Sequence, residues 1–260
     1  MLKKLIKYDL LWVNKSMAIF FIISTILSIL NRIISNFSNS YMGNILYIIT
    51  KGLTISFMVS ILINCIIRLW RRFNSNIYKD ESYLTHTLPI EKNTLFKSKM
   101  ISSIISILIS LFIILINIVI GFFDSSTFDK LINIFSDTKV LFIFINIIII
   151  SLLQVIYLFN CGILGLLIGN KSNNNKMVKS VFIGILLYCI LQSIIVIVIY
   201  LVGLINSDIK VLFTTNINND LDFVNAVKYF VIIVNCLYIV FISLIYFISK
   251  NIFKKGINVD

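Results

Sequence analysis

Residues 165–172, GLLIGNKS, have a spacing close to that of a loop that binds nucleotide phosphates. Such a loop, G-x-x-x-x-G-K-[ST], links a strand to a helix and needs its second glycine directly before the lysine. Position 170 holds Asn170 instead, and the apolar run around Gly165 and Gly169 predicts the end of a helix. We therefore predict that this segment binds no nucleotide, and that any ATP the protein uses is bound by another chain.

Nucleophilic and titratable residues are sparse in the rest of the chain. There is one histidine, His86, and acidic residues are almost absent from the apolar runs. A membrane-embedded protease, a metal enzyme or a proton relay has no obvious group of residues to use. The four cysteines have no C-x-x-C spacing and are predicted to be small buried apolar residues: Cys65, Cys161, Cys189 and Cys236. The sequence thus predicts no enzyme activity, no catalytic residue, no metal site and no cofactor.

The composition indicates what kind of protein must position these residues. Hydrophobic residues make up 59% of the 260 residues and charged residues 13%, against about 25% charged in soluble proteins. Runs of about twenty apolar residues, long enough to cross a bilayer as helices, alternate with short charged segments. We predict an all-α integral membrane protein that forms a single transmembrane domain over residues 1–260, with six spans at residues 17–34, 46–67, 100–122, 140–169, 181–206 and 229–249.

Two of the predicted helices have unusual features. Residues 1–15 place Leu5, Ile6 and Leu10 on one helical face and Lys3, Lys4 and Lys7 on the other, which is typical of a helix lying in the membrane interface. A cationic flank of the first span is the alternative. The fourth span is too long for an upright helix, so it is either tilted or broken near Gly162 and Gly165, and the sequence does not decide between the two.

The positive charges predict the orientation. With the N-terminus inside, 17 of the 23 Lys and Arg residues lie in cytoplasmic segments, as the positive-inside rule requires. Both termini are then cytoplasmic, and the protein lies in the cell membrane. Nucleic acid is not an expected partner, because these charges are scattered among short loops rather than gathered on a folded basic face. We expect them to contact anionic membrane lipids.

Several polar residues lie in or between the spans. We expect the amides within the spans to make hydrogen bonds between helices, with a substrate path as the alternative: Asn64, Asn117, Asn146, Gln154, Asn160, Gln192 and Asn235. No particular substrate path is predicted. Lys51 is expected to extend to the outer interface, with a substrate role as the alternative. In the outer segment 123–139 an apolar spacing predicts a short amphipathic helix, and segment 207–228 has no clear pattern.

The segment from Arg68 to Lys99 is the longest cytoplasmic link, and it contains the only proline, Pro89. Links of this length usually have structure or a function. Proline is favoured in the first turn of a helix, so we predict one helical piece from Arg68 to about Leu84 and a second that begins near Pro89. The turn between them presents apolar residues that either dock into a partner or rest on lipid headgroups: Tyr83, Leu84, Leu88 and Ile90.

Residues 78–90, YKDESYLTHTLPI, followed by Leu95 and Ser98-Lys99, resemble the motif of small six-span permeases of the ABC-2 class from low-GC Gram-positive bacteria. The resemblance implies that residues 68–99 form a coupling segment, with a coupling helix that docks into a groove on a separate ATP-binding subunit. The matching positions, which the resemblance implies are the ATPase-coupling residues, are Glu81, Tyr83, Leu84, Thr87, Leu88, Pro89, Ser98 and Lys99. His86 matches no position of the motif.

The resemblance also implies a function. It predicts the permease subunit of an ABC transporter that exports its substrate, assembled with an ATP-binding subunit and with a second permease subunit, either a copy of this chain or a sister permease. A membrane immunity or sensor component that binds a peptide or a membrane partner without an ATPase is the alternative. A secondary transporter is less favoured, because no internal repeat is evident.

Overall fold

The structure is a computed structural model that describes residues 2–79, 81–87, 90–123, 135, 137–172, 174–205, 209 and 220–255. All regular secondary structure in these ranges is α-helical. The helices are α1 (Leu2–Ser35), α2 (Tyr41–Tyr78), α3 (Ser82–Thr87), α4 (Lys92–Phe122), α5 (Thr138–Gly169), α6 (Lys176–Ile205) and α7 (Asp220–Lys254). Within the described ranges, all of them except α3 are long and apolar enough to cross a membrane. The prediction of an all-α chain with six helices able to span a membrane is confirmed for the described residues.

The chain divides into two compact units, Met1–Phe128 and Asp129–Asp260. In unit 1, α1 packs along both α2 and α4, while α2 also contacts α3 and α4. In unit 2, α5 packs along both α6 and α7, which contact each other less. Each unit therefore has one central helix, the first in its sequence, that the other two long helices cover.

Local sequence explains several helix ends. Ser40 caps α2 by accepting a hydrogen bond from the Gly43 N–H at 3.0 Å. Asp137 caps α5 by accepting one from the Lys139 N–H at 2.9 Å. Before α6, Asn175 adopts a φ of 54°, a left-handed conformation that asparagine tolerates better than most residues. These polar residues mark where α2, α5 and α6 begin.

The end of α4 is capped by side chains of α1. Asn31 donates a hydrogen bond from Nδ2 to the Gly121 carbonyl at 2.9 Å, and Arg32 donates one from Nη1 to the Phe123 carbonyl at 3.0 Å. The last carbonyls of a helix have no partner within it, and the partial negative charge at this end of the helix also favours a cation there. Residues far apart in sequence thus fasten α1 to the end of α4.

Two helices are more continuous than the sequence indicates. Every residue from Leu2 to Ser35 lies in α1, so residues 1–15 and the first span are not separated by a helix end. The placement of residues 1–15 in the membrane interface stays a prediction. Helix α5 runs unbroken from Thr138 to Gly169, so neither Gly162 nor Gly165 interrupts it.

The link between α2 and α4 differs from the prediction in its helix boundaries. The first helical piece ends at Tyr78 rather than near Leu84, because Lys79 is extended and its carbonyl accepts a hydrogen bond from the Ser82 N–H at 2.7 Å. That turn leads into the separate short helix α3, and α4 begins at Lys92. Leu88 and Pro89 lie outside the described residues.

The two outer segments are only partly covered. Most of segment 123–139, with its predicted amphipathic helix, and residues 210–219 lie outside the described residues. Residues 220–228 were assigned to an outer segment by their sequence, but they form the first turns of α7. Ala226 in these turns is fully buried, so packing continues beyond the apolar run.

Candidate functional site

Asp9 lies on the buried face of α1, four residues before Val13 and eight before Met17. The exposed fractions of these residues are 4%, 1% and 0%, respectively. A buried carboxylate is costly unless it is paired and hydrogen-bonded. The surroundings of Asp9 therefore indicate where this unit concentrates charge.

The first partner of Asp9 is Lys99, near the start of α4. Lys99 donates from Nζ to both carboxylate oxygens of Asp9, at 2.7 Å and 2.8 Å. The side chains of Lys99 and Asp9 are only 7% and 6% exposed. Removing one partner from a buried pair of this kind costs about 3–5 kcal/mol, because the other charge stays buried and unpaired. The pair joins α1 to α4 firmly.

The second partner of Asp9 is Arg72 of α2, which connects the pair to the link. Its Nε lies 3.4 Å from Asp9 Oδ1, and its Nη1 lies 3.1 Å and 2.9 Å from the two carboxylate oxygens of Glu81. Its guanidinium also lies over the ring of Trp12, 4.9 Å from the ring centroid, in a cation–π geometry. We call Asp9, Arg72, Glu81 and Lys99 the charge cluster.

The charge cluster joins every helix of unit 1. Asp9 comes from α1, Arg72 from α2 and Lys99 from α4, while Glu81 directly precedes α3. The two acids and two bases balance in charge. Because α1, α2 and α4 meet at one set of ion pairs, a force applied to Glu81 reaches all three long helices through side-chain contacts.

Apolar packing holds α2 against α4 in the same part of the unit. The rings of Phe73 and Phe96 meet edge to face with centroids 6.3 Å apart, and Phe96 is fully buried. Leu95 and Ile77 are also buried. This contact limits relative movement of the two helices on either side of the link.

The face of α4 that is buried is made largely of serines spaced four residues apart, namely Ser98, Ser102, Ser106 and Ser110. Each hydroxyl donates to a carbonyl of α4 itself, as Ser98 does to Leu95 at 2.7 Å. Each hydroxyl therefore has an acceptor on its own helix. Small side chains let neighbouring helices approach closely, so the stripe is explained by packing.

The predicted docking residues fall into two groups. Ser98 and Lys99 are buried, and Glu81 is paired with Arg72. Tyr83 is 77% exposed and Thr87 is also exposed, both on α3. The Leu84 side chain, Leu88 and Pro89 lie outside what the structure describes. The structure thus unites Glu81 and Lys99 in one cluster, and the docking role of all eight residues stays a prediction.

Sequence analysis missed Asp9, Arg72 and Trp12 as site residues. A signal for Asp9 was present, since it is the only acid in the first 79 residues and lies four positions before Val13 on the apolar face. An isolated acid on an apolar helical face predicts a buried partner of opposite charge. No comparable signal in the sequence identifies which of the many Lys and Arg residues is that partner.

Other polar residues behave largely as expected. Asn117 donates from Nδ2 to Ser24 Oγ at 2.8 Å, and Asn235 donates from Nδ2 to Asn146 Oδ1 at 3.0 Å. Gln192 lies 3.4 Å from the Tyr238 hydroxyl. The predicted hydrogen bonds between helices are confirmed for these residues. Asn64 differs, because its amide donates to Ser60 on its own helix. Lys51 is exposed, with Nζ 5.8 Å from the centroid of the Tyr47 ring on its own helix.

The cysteine prediction is half correct. Cys65 and Cys161 are buried and free, whereas Cys189 and Cys236 are exposed and free. The prediction of burial is wrong for the latter two, because a residue within a span can face outward from its bundle. Among the described residues, no group of three or more His, Cys, Asp or Glu side chains is placed to hold a metal ion.

The glycines of the segment that resembled a phosphate loop pack α5 against α6. A Cβ at Gly165 would lie 2.6 Å from the Gly184 nitrogen, and one at Gly169 would lie 2.6 Å from the Ser180 Cα. Gly165 and Gly169 are spaced four apart, as are Ser180 and Gly184, so two small-residue motifs face each other. Their role is helix packing.

Comparison with protein-family models, with curated proteins and with solved structures finds no match for this chain.

Proposed function

We propose that this chain is the membrane-spanning permease subunit of an ABC transporter of the ABC-2 type, and that it exports its substrate. Six candidate spans, the motif in residues 78–99 and the link between α2 and α4 support this proposal. The observation that carries it is the charge cluster, because a link that an ATPase moves must be attached to the helices that respond. The link leads directly into α2 and α4, and Asp9 joins both of these helices to α1 through Arg72 and Lys99.

In this mechanism the ATP-binding subunit contacts α3 through exposed residues such as Tyr83. Closure of the ATPase on nucleotide moves α3, and α2 and α4 follow because they flank the link. Asp9 holds Arg72 of α2 and Lys99 of α4 together, so α1 moves with both helices. ATP drives the change only because the ATPase binds the two conformations with different affinity.

The proposed assembly has two permease subunits, identical or sister chains, and two ATP-binding subunits in the cell membrane. Both termini are cytoplasmic in this proposal, supported by the location of 17 of the 23 cations in segments on that side. Anionic lipids are the further partners. ATP hydrolysis belongs to the ATP-binding subunit, so this chain is not itself the enzyme.

Co-purification tests the proposal. The chain is tagged, expressed in its native host, extracted in mild detergent and examined for an ATP-binding subunit. Tyr83→Asp is expected to reduce recovery of that subunit at least about tenfold, because it places a charge in the docking surface; a loss of about 1.4 kcal/mol in binding produces a factor of this size. Tyr83 is 77% exposed, so the substitution leaves the fold intact.

The matched control is Tyr8→Asp, because Tyr8 is 66% exposed on α1 and the same side chain is replaced. Recovery of the ATP-binding subunit should not change in this variant. If wild-type chain retains no such subunit, the proposal is wrong, and the immunity or sensor component without an ATPase becomes the better explanation.

A further inference from the structure

The ion pairs of the charge cluster differ in their exposure to water. Lys99 and Asp9 are 7% and 6% exposed, so the bond between them is enclosed. In the pair of Arg72 with Glu81, the arginine is 18% exposed and the glutamate 44%. Water therefore competes with Arg72 for the Glu81 carboxylate, whereas both side chains of the Asp9–Lys99 pair are shielded from water.

The consequence of breaking each pair is correspondingly different. Separating Asp9 from Lys99 leaves buried charges without compensation. Separating Glu81 from Arg72 exposes a carboxylate that is already almost half in water, while the guanidinium keeps its contacts with Asp9 and the Trp12 ring. The Arg72–Glu81 pair is therefore the part of the cluster that opens without stranding a buried charge.

We propose that the Arg72–Glu81 pair is a releasable clasp, which holds α3 against the helices of unit 1 until an ATP-binding partner docks on the link. Docking opens the clasp, and the Asp9–Lys99 pair stays closed throughout. Arg72 is then a positioning residue that holds the link in its undocked position. The identity of the partner rests on the proposed function, whereas the clasp is a property of this chain alone.

A clasp that must open on docking should lower the affinity of the chain for the ATP-binding subunit. If the partner binds only the open link, the closed clasp lowers the apparent affinity by the fraction of chains that are open. Glu81→Gln removes the clasp and should tighten binding of the ATP-binding subunit roughly two- to fivefold, since an exposed ion pair contributes little more than that. If Glu81 instead contacts the partner directly, the same substitution weakens binding.

The affinity experiment uses purified full-length chain in detergent and the ATP-binding subunit that co-purifies with it. Glu91→Gln is the matched control, because Glu91 is an exposed acid of the same link whose side chain makes no capping hydrogen bond. It removes the same charge and should leave the Kd unchanged. A Kd for Glu81→Gln that is unchanged or weaker than that of wild type overturns the proposal.

A second measurement needs no partner. The exposed native thiols are first removed with Cys189→Ala and Cys236→Ala. Spin labels are then attached at Tyr8→Cys on α1 and Thr87→Cys on α3, which are both exposed positions. The distance between the two labels reports the separation of α1 and α3. Glu81→Gln should replace a narrow distance distribution with a broad one, and Glu91→Gln should retain the narrow one. An unchanged distribution in Glu81→Gln means that no clasp exists.

The two measurements separate the two proposals. Failure of wild-type chain to bind any ATP-binding subunit contradicts the proposed function, while the spin-label distances still decide whether the clasp exists. Binding of the subunit without the gain in affinity for Glu81→Gln contradicts the clasp and leaves the proposed function standing.

Discussion

Unit 1 and unit 2 each pack two long helices around the first long helix of the unit, but with different side chains. Unit 1 uses ion pairs and a stripe of serines, and Asp9, Arg72 and Lys99 join its three long helices. Unit 2 uses facing small-residue motifs and a group of tyrosines, in which Tyr157 lies 5.5 Å from Tyr238 and 5.7 Å from Tyr188 between ring centroids. The same arrangement of three helices is therefore held together by different kinds of side-chain contact in the two units.

The difference indicates where movement is controlled. Interdigitated glycines and aromatic rings give a contact whose strength does not depend on any partner, as expected for a rigid support. Ion pairs that include a partly exposed carboxylate can be rearranged by another charged surface. Unit 1 contains the link and also the rearrangeable contacts, so we expect its response to mutation to differ from that of unit 2.

The largest expected effect comes from disrupting the buried Asp9–Lys99 ion pair of unit 1, a kind of contact that the packing of unit 2 described above does not use. Asp9→Asn should lower the free energy of unfolding by about 3–5 kcal/mol, because Lys99 remains buried without its counter-ion. The double variant Asp9→Leu with Lys99→Met should recover most of that loss, since apolar replacement of a buried pair is often close to neutral.

Unfolding in detergent, followed for wild type, Asp9→Leu, Lys99→Met and the double variant, gives the coupling energy of the pair. Losses in the single variants that simply add in the double variant would contradict the ion pair as the cause.

An intermediate effect is expected in unit 2. Gly165→Val places side-chain atoms where the Gly184 nitrogen and the Ser180 carbonyl oxygen already lie, each 2.6 Å from the position of a Cβ. Overpacking of this kind costs about 1–3 kcal/mol, measured as a lower midpoint of thermal unfolding. Gly52→Val on α2 is the control, because a Cβ there meets nothing within 4 Å. Equal losses in the two variants would mean that helix propensity, and not packing, is responsible.

The smallest effect should be equal in the two units. Asn117→Leu removes one hydrogen bond between helices from unit 1, and Asn235→Leu removes one from unit 2. Such bonds contribute about 0.6 kcal/mol on average in membrane proteins, so each variant should lose close to that amount. Asn64→Leu, which loses only a bond to Ser60 on its own helix, is the reference. A large loss in one unit alone would indicate that its amide has a role beyond this bond.

Hydropathy predicted the six candidate spans because lipid imposes a minimum length and leaves a helix no alternative to internal hydrogen bonding. The end of α2 could not be predicted in the same way. Nothing in the residues after Arg68 forbids a longer helix, and the stop at Lys79 accompanies a turn whose next residues include Glu81, held by Arg72. Local sequence does not contain that tertiary contact.

The charge cluster illustrates a second limit. Its central pair joins Asp9 and Lys99, which are 90 residues apart. Predicting this pair requires knowing how each helix is rotated about its axis. The positions of the apolar runs locate the helices but do not give that rotation. The predicted set of docking residues included Glu81 and Lys99 by resemblance alone, and the reason why those two residues belong to one cluster is visible only in three dimensions.

The caps that α1 provides for the end of α4 have a mechanical consequence. Asp9 fastens α1 to the beginning of α4, and Asn31 fastens it to the end. At 1.5 Å per residue these attachments lie about 33 Å apart along α1, close to the thickness of the hydrocarbon core. Two helices fastened at both ends cannot slide past each other, so α1 and α4 should move together as one rigid pair. A displacement of one end of this pair is therefore expected to move the other end with it.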